Sequence, residues 1–285
     1  MHSKYMYRLS TTSSKFGKTH MIAIRTLHYI LLVGVCAITQ AHADTGIIVA
    51  FESTLISLKG EMTLDGTRSI AKREFFSGRL NGHPVVLVRS PMGKVNNAIT
   101  AQLLISNYTI ERIISISPAG AIGGDIDIGD MVIADSLVQH DFGTIKPYGF
   151  VAGNPPDGID WDEEGYILSN GKISSATLNN SRTKGINKIR IGTIASGDQF
   201  IASPAKKAWL ENMHDADAVD MGAAAIGQVC QANNVRLLAA RIITDKAGIT
   251  ARAKFPAWNE SYSTGFDMPE LARSLLSINA QAETR

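Results

Sequence analysis

The chain has 285 residues, with 28 Lys and Arg against 26 Asp and Glu, and a formal net charge of +2. Two cysteines exclude a disulfide-stapled scaffold, and no basic tract suggests a nucleic-acid partner. Beyond residue 43 the histidines are His83, His140 and His214, with no H-x-x-x-H or C-x-x-C pair, so neither a metal nor another cofactor is expected.

Residues 1–43 contain Lys4, Arg8, Lys15, Lys18 and Arg25 and no acid. An apolar run from Tyr29 to Ile38 follows, and then Ala41-His42-Ala43, a small-x-small end. This order reads as a secretory signal peptide cleaved after Ala43, with Met21 an alternative start. The apolar run falls short of the roughly 20 residues that cross a bilayer. A periplasmic or secreted protein without a stable membrane span after cleavage is therefore expected. Cleavage leaves 23 Lys and Arg against 26 Asp and Glu, a net charge of about −3, and Cys230 as the one cysteine. The remainder, 44–285, reads as one domain.

Short apolar runs then alternate with helical patterns. Gly46–Phe51 and Pro84–Arg89 read as buried strands, and Asn96–Ser106 as a helix. Arg112–Ser117 is a strand running into the glycine-rich stretch Pro118–Gly124. Asp130–Asp135 is a strand, and Pro147–Gly158, rich in Pro and Gly, a long loop. Ala223–Asn233 is a helix, Arg236–Ile243 a strand and Pro269–Ile278 a last helix. Strands alternating with helices imply an α/β fold with a largely buried sheet.

Three segments concentrate the functional signal. Ser196-Gly-Asp-Gln-Phe-Ile201 holds an aromatic–aliphatic pair, Phe200 and Ile201, which suits stacking on a ring as well as core packing. Asp220-Met221-Gly222 opens the small-residue helix. Asp245 ends the apolar strand, where open α/β sheets place ligand groups. Asp245 suits an acid or a turn cap; Lys246 beside it could pair with it or face solvent.

Together these segments resemble the purine nucleoside phosphorylase and nucleosidase superfamily, closest to the methylthioadenosine/S-adenosylhomocysteine nucleosidase branch. The resemblance runs from Gly46 to about Leu276. It implies a three-layer α/β/α domain with a central mixed sheet, a homodimer, and hydrolysis of the N-glycosidic bond of a small-molecule purine nucleoside. In that frame Asp245 protonates the leaving base, Phe200 and Ile201 hold the base, and Asp220, Met221 and Gly222 lie at the ribose. Thr54, Ala119 and Gly120 then lie on the nucleophile side. The chain departs from the pattern twice. Thr54 stands where the family has a water-activating Glu, with Glu52 two residues earlier, and Gly222 where it has the Glu that accepts from the ribose diol. Pro118 also removes a backbone N–H beside Ala119. Residues 46–58 and 117–124 contain no Arg to hold phosphate, which favours water over phosphate as nucleophile. A non-catalytic purine- or nucleoside-binding protein and a nucleoside phosphorylase remain as alternatives.

Overall fold

The computed structural model describes residues 45–153, 167–169, 184–253 and 265–280. The expected signal segment, 1–43, lies outside them. In chain order the elements are β1 (Thr45–Val49), α1 (Glu52–Gly60), β2 (Met62–Ile70), β3 (Arg73–Leu80), β4 (His83–Arg89) and α2 (Lys94–Asn107). Then come β5 (Arg112–Ala121), β6 (Met131–Gln139), β7 (Gly143–Lys146), β8 (Gly149–Ala152), β9 (Ile167–Ser169) and β10 (Ile189–Ser196). The chain continues through α3 (Pro204–His214), β11 (Ala216–Asp220), α4 (Ala223–Ala232), β12 (Arg236–Asp245) and α5 (Met268–Ala280).

The main sheet runs β11-β10-β6-β12-β5-β1-β4-β3-β2, with β9 on β6. Strands β5, β1 and β4 pair in parallel, whereas β2, β3 and β4 form an antiparallel meander, so the sheet is mixed. At its other end β11 also pairs antiparallel with β5 through Ala218–Ala121 and Val219–Gly120. Strands β5, β12, β6, β10 and β11 thereby close on themselves. This closure brings the carboxyl ends of β5, β11 and β12 to one place.

Side chains alternate across the central strands and fill a core on each face, and a third cluster joins Val138, Ala195 and Val219 to Leu210 of α3. Ile48, Val86, Val88, Ala239 and Ile243 face one core with Ala101 and Leu104 of α2 and Ile226 and Cys230 of α4. Ile47, Val49, Val85, Leu87, Ala240 and Ile242 face the other, with Leu55 and Leu58 of α1 and Leu271 and Leu275 of α5. Helices α2 and α4 therefore cover one face and α1 and α5 the other, the expected three-layer α/β/α domain. Local chemistry places the ends. Asn81 and Gly82, both at positive φ, make the tight turn from β3 to β4. Ser203 caps α3 through the Lys206 N–H, with Pro204 in its first turn.

Two expectations are corrected. Strand β5 does not end before Pro118; it continues to Ala121 with Pro118 opposite Ile242. Its pairing with β1 ends at Ile116, so beyond that point it has lost one neighbouring strand and a proline forfeits fewer ladder bonds. The segment read as a loop from Pro147 contains β8, which forms a hairpin with β7. The part of it from 154 to 158 lies outside the described residues. Among the described residues no helix is long and apolar enough to cross a membrane.

Candidate active site

The carboxyl ends of the strands open onto a cleft enclosing about 830 Å³, solvent at its mouth included. Strand β12 delivers Asp245, and β5 delivers Ala119 and Gly120. The segment after β10 delivers Phe200 and Ile201, and the turn from β11 into α4 delivers Asp220, Met221 and Gly222. Eight of the nine sequence-expected site residues thus line one cavity.

Asp245 is buried at the last residue of its strand. Its Oδ1 accepts from the Ala247 N–H at 2.7 Å, and its Oδ2 lies 2.9 Å from Thr244 Oγ1. Gly120 gives it room, since a Cβ there would come within 3.0 Å of Oδ1. Lys246 turns away. Its Nζ donates to the Ile126 carbonyl and pairs with Asp127 at 2.6 Å, so it is not the partner of Asp245.

Asp220 lines the cavity, but its carboxylate is committed to the protein. Oδ2 pairs with Arg241 Nε at 2.7 Å and accepts from the Ala223 N–H at 2.9 Å. Oδ1 accepts from Ser196 Oγ and from the Gly222 N–H. Asp220 therefore holds the first turn of α4 and neutralises a fully buried arginine, which makes it a positioning group.

Thr54 is the exception. The resemblance puts it on the nucleophile side of the site, yet α1 has begun at Glu52, and Thr54 joins Leu55 and Leu58 on the buried face of that helix. It is absent from the cavity lining, and its Oγ1 is buried without a hydrogen-bond partner among the described residues. Glu52 cannot stand in for it: the helical turn directs it elsewhere, and it pairs with Arg89 Nε at 2.9 Å on the surface.

Gly222 adopts an extended φ of −172°, so conformation does not demand glycine there. Space does: a Cβ would lie 2.3 Å from Asn97 Nδ2. Asn97 of α2 was not singled out in the sequence, and neither were Ser90, Arg241 and Thr244, all of which line the cavity. The polar-pair signal Asn96-Asn97 at the helix start was the one clue.

The loop carrying Phe200 is tied down at its start. The Asp198 N–H donates to Asp141 Oδ2 at 2.7 Å, and Asp198 Oδ1 accepts from the Lys94 N–H at 2.8 Å. Lys94 Nζ completes the link by pairing with Asp141 at 2.6 Å. Burial pushes the Asp141 carboxyl up, but this hydrogen bond and charge from Lys94, with the Asp198 N–H, outweigh it and hold the group below its ordinary value.

The Phosphorylase superfamily model matches residues 44–264. Aminodeoxyfutalosine nucleosidase of Campylobacter jejuni is 32% identical over 188 residues, 65% of this chain and 78% of that one. The 5′-methylthioadenosine/S-adenosylhomocysteine nucleosidase of Aeromonas salmonicida is 32% identical over 216 residues, 75% of this chain and 91% of that one. Among solved structures, the nucleosidase of that name from S. pneumoniae, bound to a transition-state inhibitor, superposes with a TM-score of 0.67 at 26% identity, covering 82% of this chain and 97% of that one. The Helicobacter pylori enzyme gives 0.69 at 24%, covering 84% and 99%, a likeness of fold. With the family match spanning most of its length, the chain belongs to the phosphorylase superfamily.

Proposed function

We propose that this protein hydrolyses the N-glycosidic bond of a purine nucleoside, as its nucleosidase relatives are named for doing. One observation carries the reading: Asp245, Phe200, Ile201 and Met221 line a single cavity while Lys246 is turned away from Asp245. Breaking an N-ribosidic bond leaves charge on the departing base, and a buried carboxylic acid at the strand end can protonate it. Phe200 supplies a flat apolar face for the purine, and the backbone at Ile201 supplies edge contacts without side-chain entropy cost. Met221 packs on the sugar. The cationic side chain among the described lining residues is Arg241, whose charge is already spent on Asp220, so water rather than phosphate suits this cavity as nucleophile.

A second reading, purine binding without turnover, has its own support. Of the carboxylates lining the cavity, Asp220 is committed to Arg241 and Asp245 is assigned as the acid, which leaves no second carboxylate among the described lining residues to activate water. We further propose export after cleavage at Ala43 and assembly as a homodimer. Release of free base from a panel of purine nucleosides, with and without phosphate, tests the readings together. Phosphate-independent release supports hydrolysis, phosphate-dependent release means phosphorolysis, and saturable binding without release supports the binding protein. An intact mass beginning at Asp44 in the native host checks the export step.

A further inference from the structure

Beside Met221, the side chain of Asn97 stands where a side chain at position 222 would stand, with Nδ2 2.3 Å and Oδ1 3.0 Å from the place of a Cβ. The orientation of its amide is fixed by its neighbours. Nδ2 donates to the Gly93 carbonyl at 2.9 Å and to the Pro91 carbonyl at 3.4 Å, which uses both amide hydrogens. Oδ1 makes no hydrogen bond to any described residue, and Asn97 is only half-buried in the cavity wall. The acid on this side, Asp220, is spent on Arg241, Ser196 and the start of α4.

We infer that Asn97 is the sugar-recognition residue of this cavity, and that its neutral carbonyl makes the site tolerant of purine nucleosides lacking the vicinal diol, 2′-deoxyribonucleosides above all. The inference rests on the purine-nucleoside reading above. Hydrogen bonds to a charged acceptor are about twice as strong as those to a neutral one. A carboxylate offers two such acceptor atoms to a diol and penalises the loss of either hydroxyl. A single amide oxygen accepts from whichever hydroxyl remains, or from water, so deleting one hydroxyl leaves little unpaired.

Titration calorimetry in an Asp245→Asn background, expected to slow turnover at least about a hundredfold, tests this with adenine, adenosine and 2′-deoxyadenosine as ligands. The two nucleosides should bind within about fivefold of each other, the span of one neutral hydrogen bond. Adding Asn97→Ala should weaken adenosine about fivefold and leave adenine unchanged, because adenine has no sugar to lose. Adding Asn97→Ala with Gly222→Glu puts a carboxylate into the vacated space and should raise the preference for adenosine to at least about thirtyfold, the span expected of charge-assisted bonds. If adenine binds but 2′-deoxyadenosine is more than about thirtyfold weaker than adenosine without the added changes, the sugar inference is overturned while the purine reading stands. An equal loss of adenine and adenosine in the Asn97→Ala protein also overturns it, since Asn97 would then only brace the Pro91–Gly93 turn. Failure of all three ligands to bind removes the purine reading itself.

Discussion

Thr244 Oγ1 lies 2.9 Å from Asp245 Oδ2 and 3.2 Å from the Ala119 carbonyl, so one hydroxyl hydrogen faces two acceptors. Donation to Asp245 suits the carboxylate. Donation to Ala119 leaves the Thr244 oxygen to accept from a protonated Asp245. The pair therefore satisfies either state of Asp245 without moving a heavy atom, as the proposed role of proton donor would require.

Asp245→Asn should lower kcat by at least about a hundredfold with a smaller change in KM, because proton transfer belongs to the transition state. Activity within threefold of the parent would make Asp245 structural. Thr244→Val should lower kcat by about tenfold, one hydrogen bond's worth, and Thr244→Ser should restore it. A Ser variant as slow as the Val variant would mean that the methyl group matters, not the hydroxyl.

Replacement of Gly222 by any side chain must displace the Asn97 amide from its two carbonyl acceptors. Gly222→Ala should cost about 1–3 kcal/mol, the usual penalty for overpacking. In an Asn97→Ala background the cost should shrink by about 1 kcal/mol or more, because the two residues compete for one space. Urea unfolding of the four proteins of this cycle measures the coupling, and additive costs would show that the contact does not limit position 222.

How much of this was legible in the sequence depends on the range of each signal. Asp245 was readable because a continuous apolar strand ends on it, and Phe200 because a short motif carries it. The layers followed from continuous apolar strands alternating with helical runs, and β1, β4 and β12 do bury apolar residues on both faces. For Asn97 the Asn96-Asn97 pair marked only a polar helix start, because its role arises when α2 packs against the start of α4. Thr54 was misplaced for a local reason. The segment after β1 has no side-chain helix cap, so the onset of α1 at Glu52 left no signature.

The Asp220–Arg241 pair was hidden in the same way, its partners lying 21 residues apart on different strands. Both side chains are nearly inaccessible, at 3% and 1% exposure, so removing one charge strands the other. Asp220→Asn should destabilise the fold by about 3–5 kcal/mol, far more than a surface pair would. Denaturant unfolding checks it, and a loss below about 1 kcal/mol would show that water reaches Arg241.

His140 makes stability depend on pH. It is fully buried, and neither ring nitrogen has a hydrogen-bond partner among the described residues. Burial is the main force pushing its pKa from 6.5 down to about 4; Asp141 opposes this, while Lys206 and His214 add to it. His214 is lowered too, by burial and then by Lys206. The sign follows from proton binding. Between pH 6.5 and about 4 the unfolded histidine holds a proton that the folded one refuses, so acid favours unfolding across that window. The stabilisation is complete above the upper value and is lost as pH falls toward the lower one. His140→Gln removes this titration while keeping a polar side chain of similar reach. Melting temperatures taken from pH 7 to pH 4.5 should therefore fall more steeply for the parent than for the variant. Parallel curves would assign the acid sensitivity to other groups, and a steeper variant would mean that His140 is charged in the folded protein.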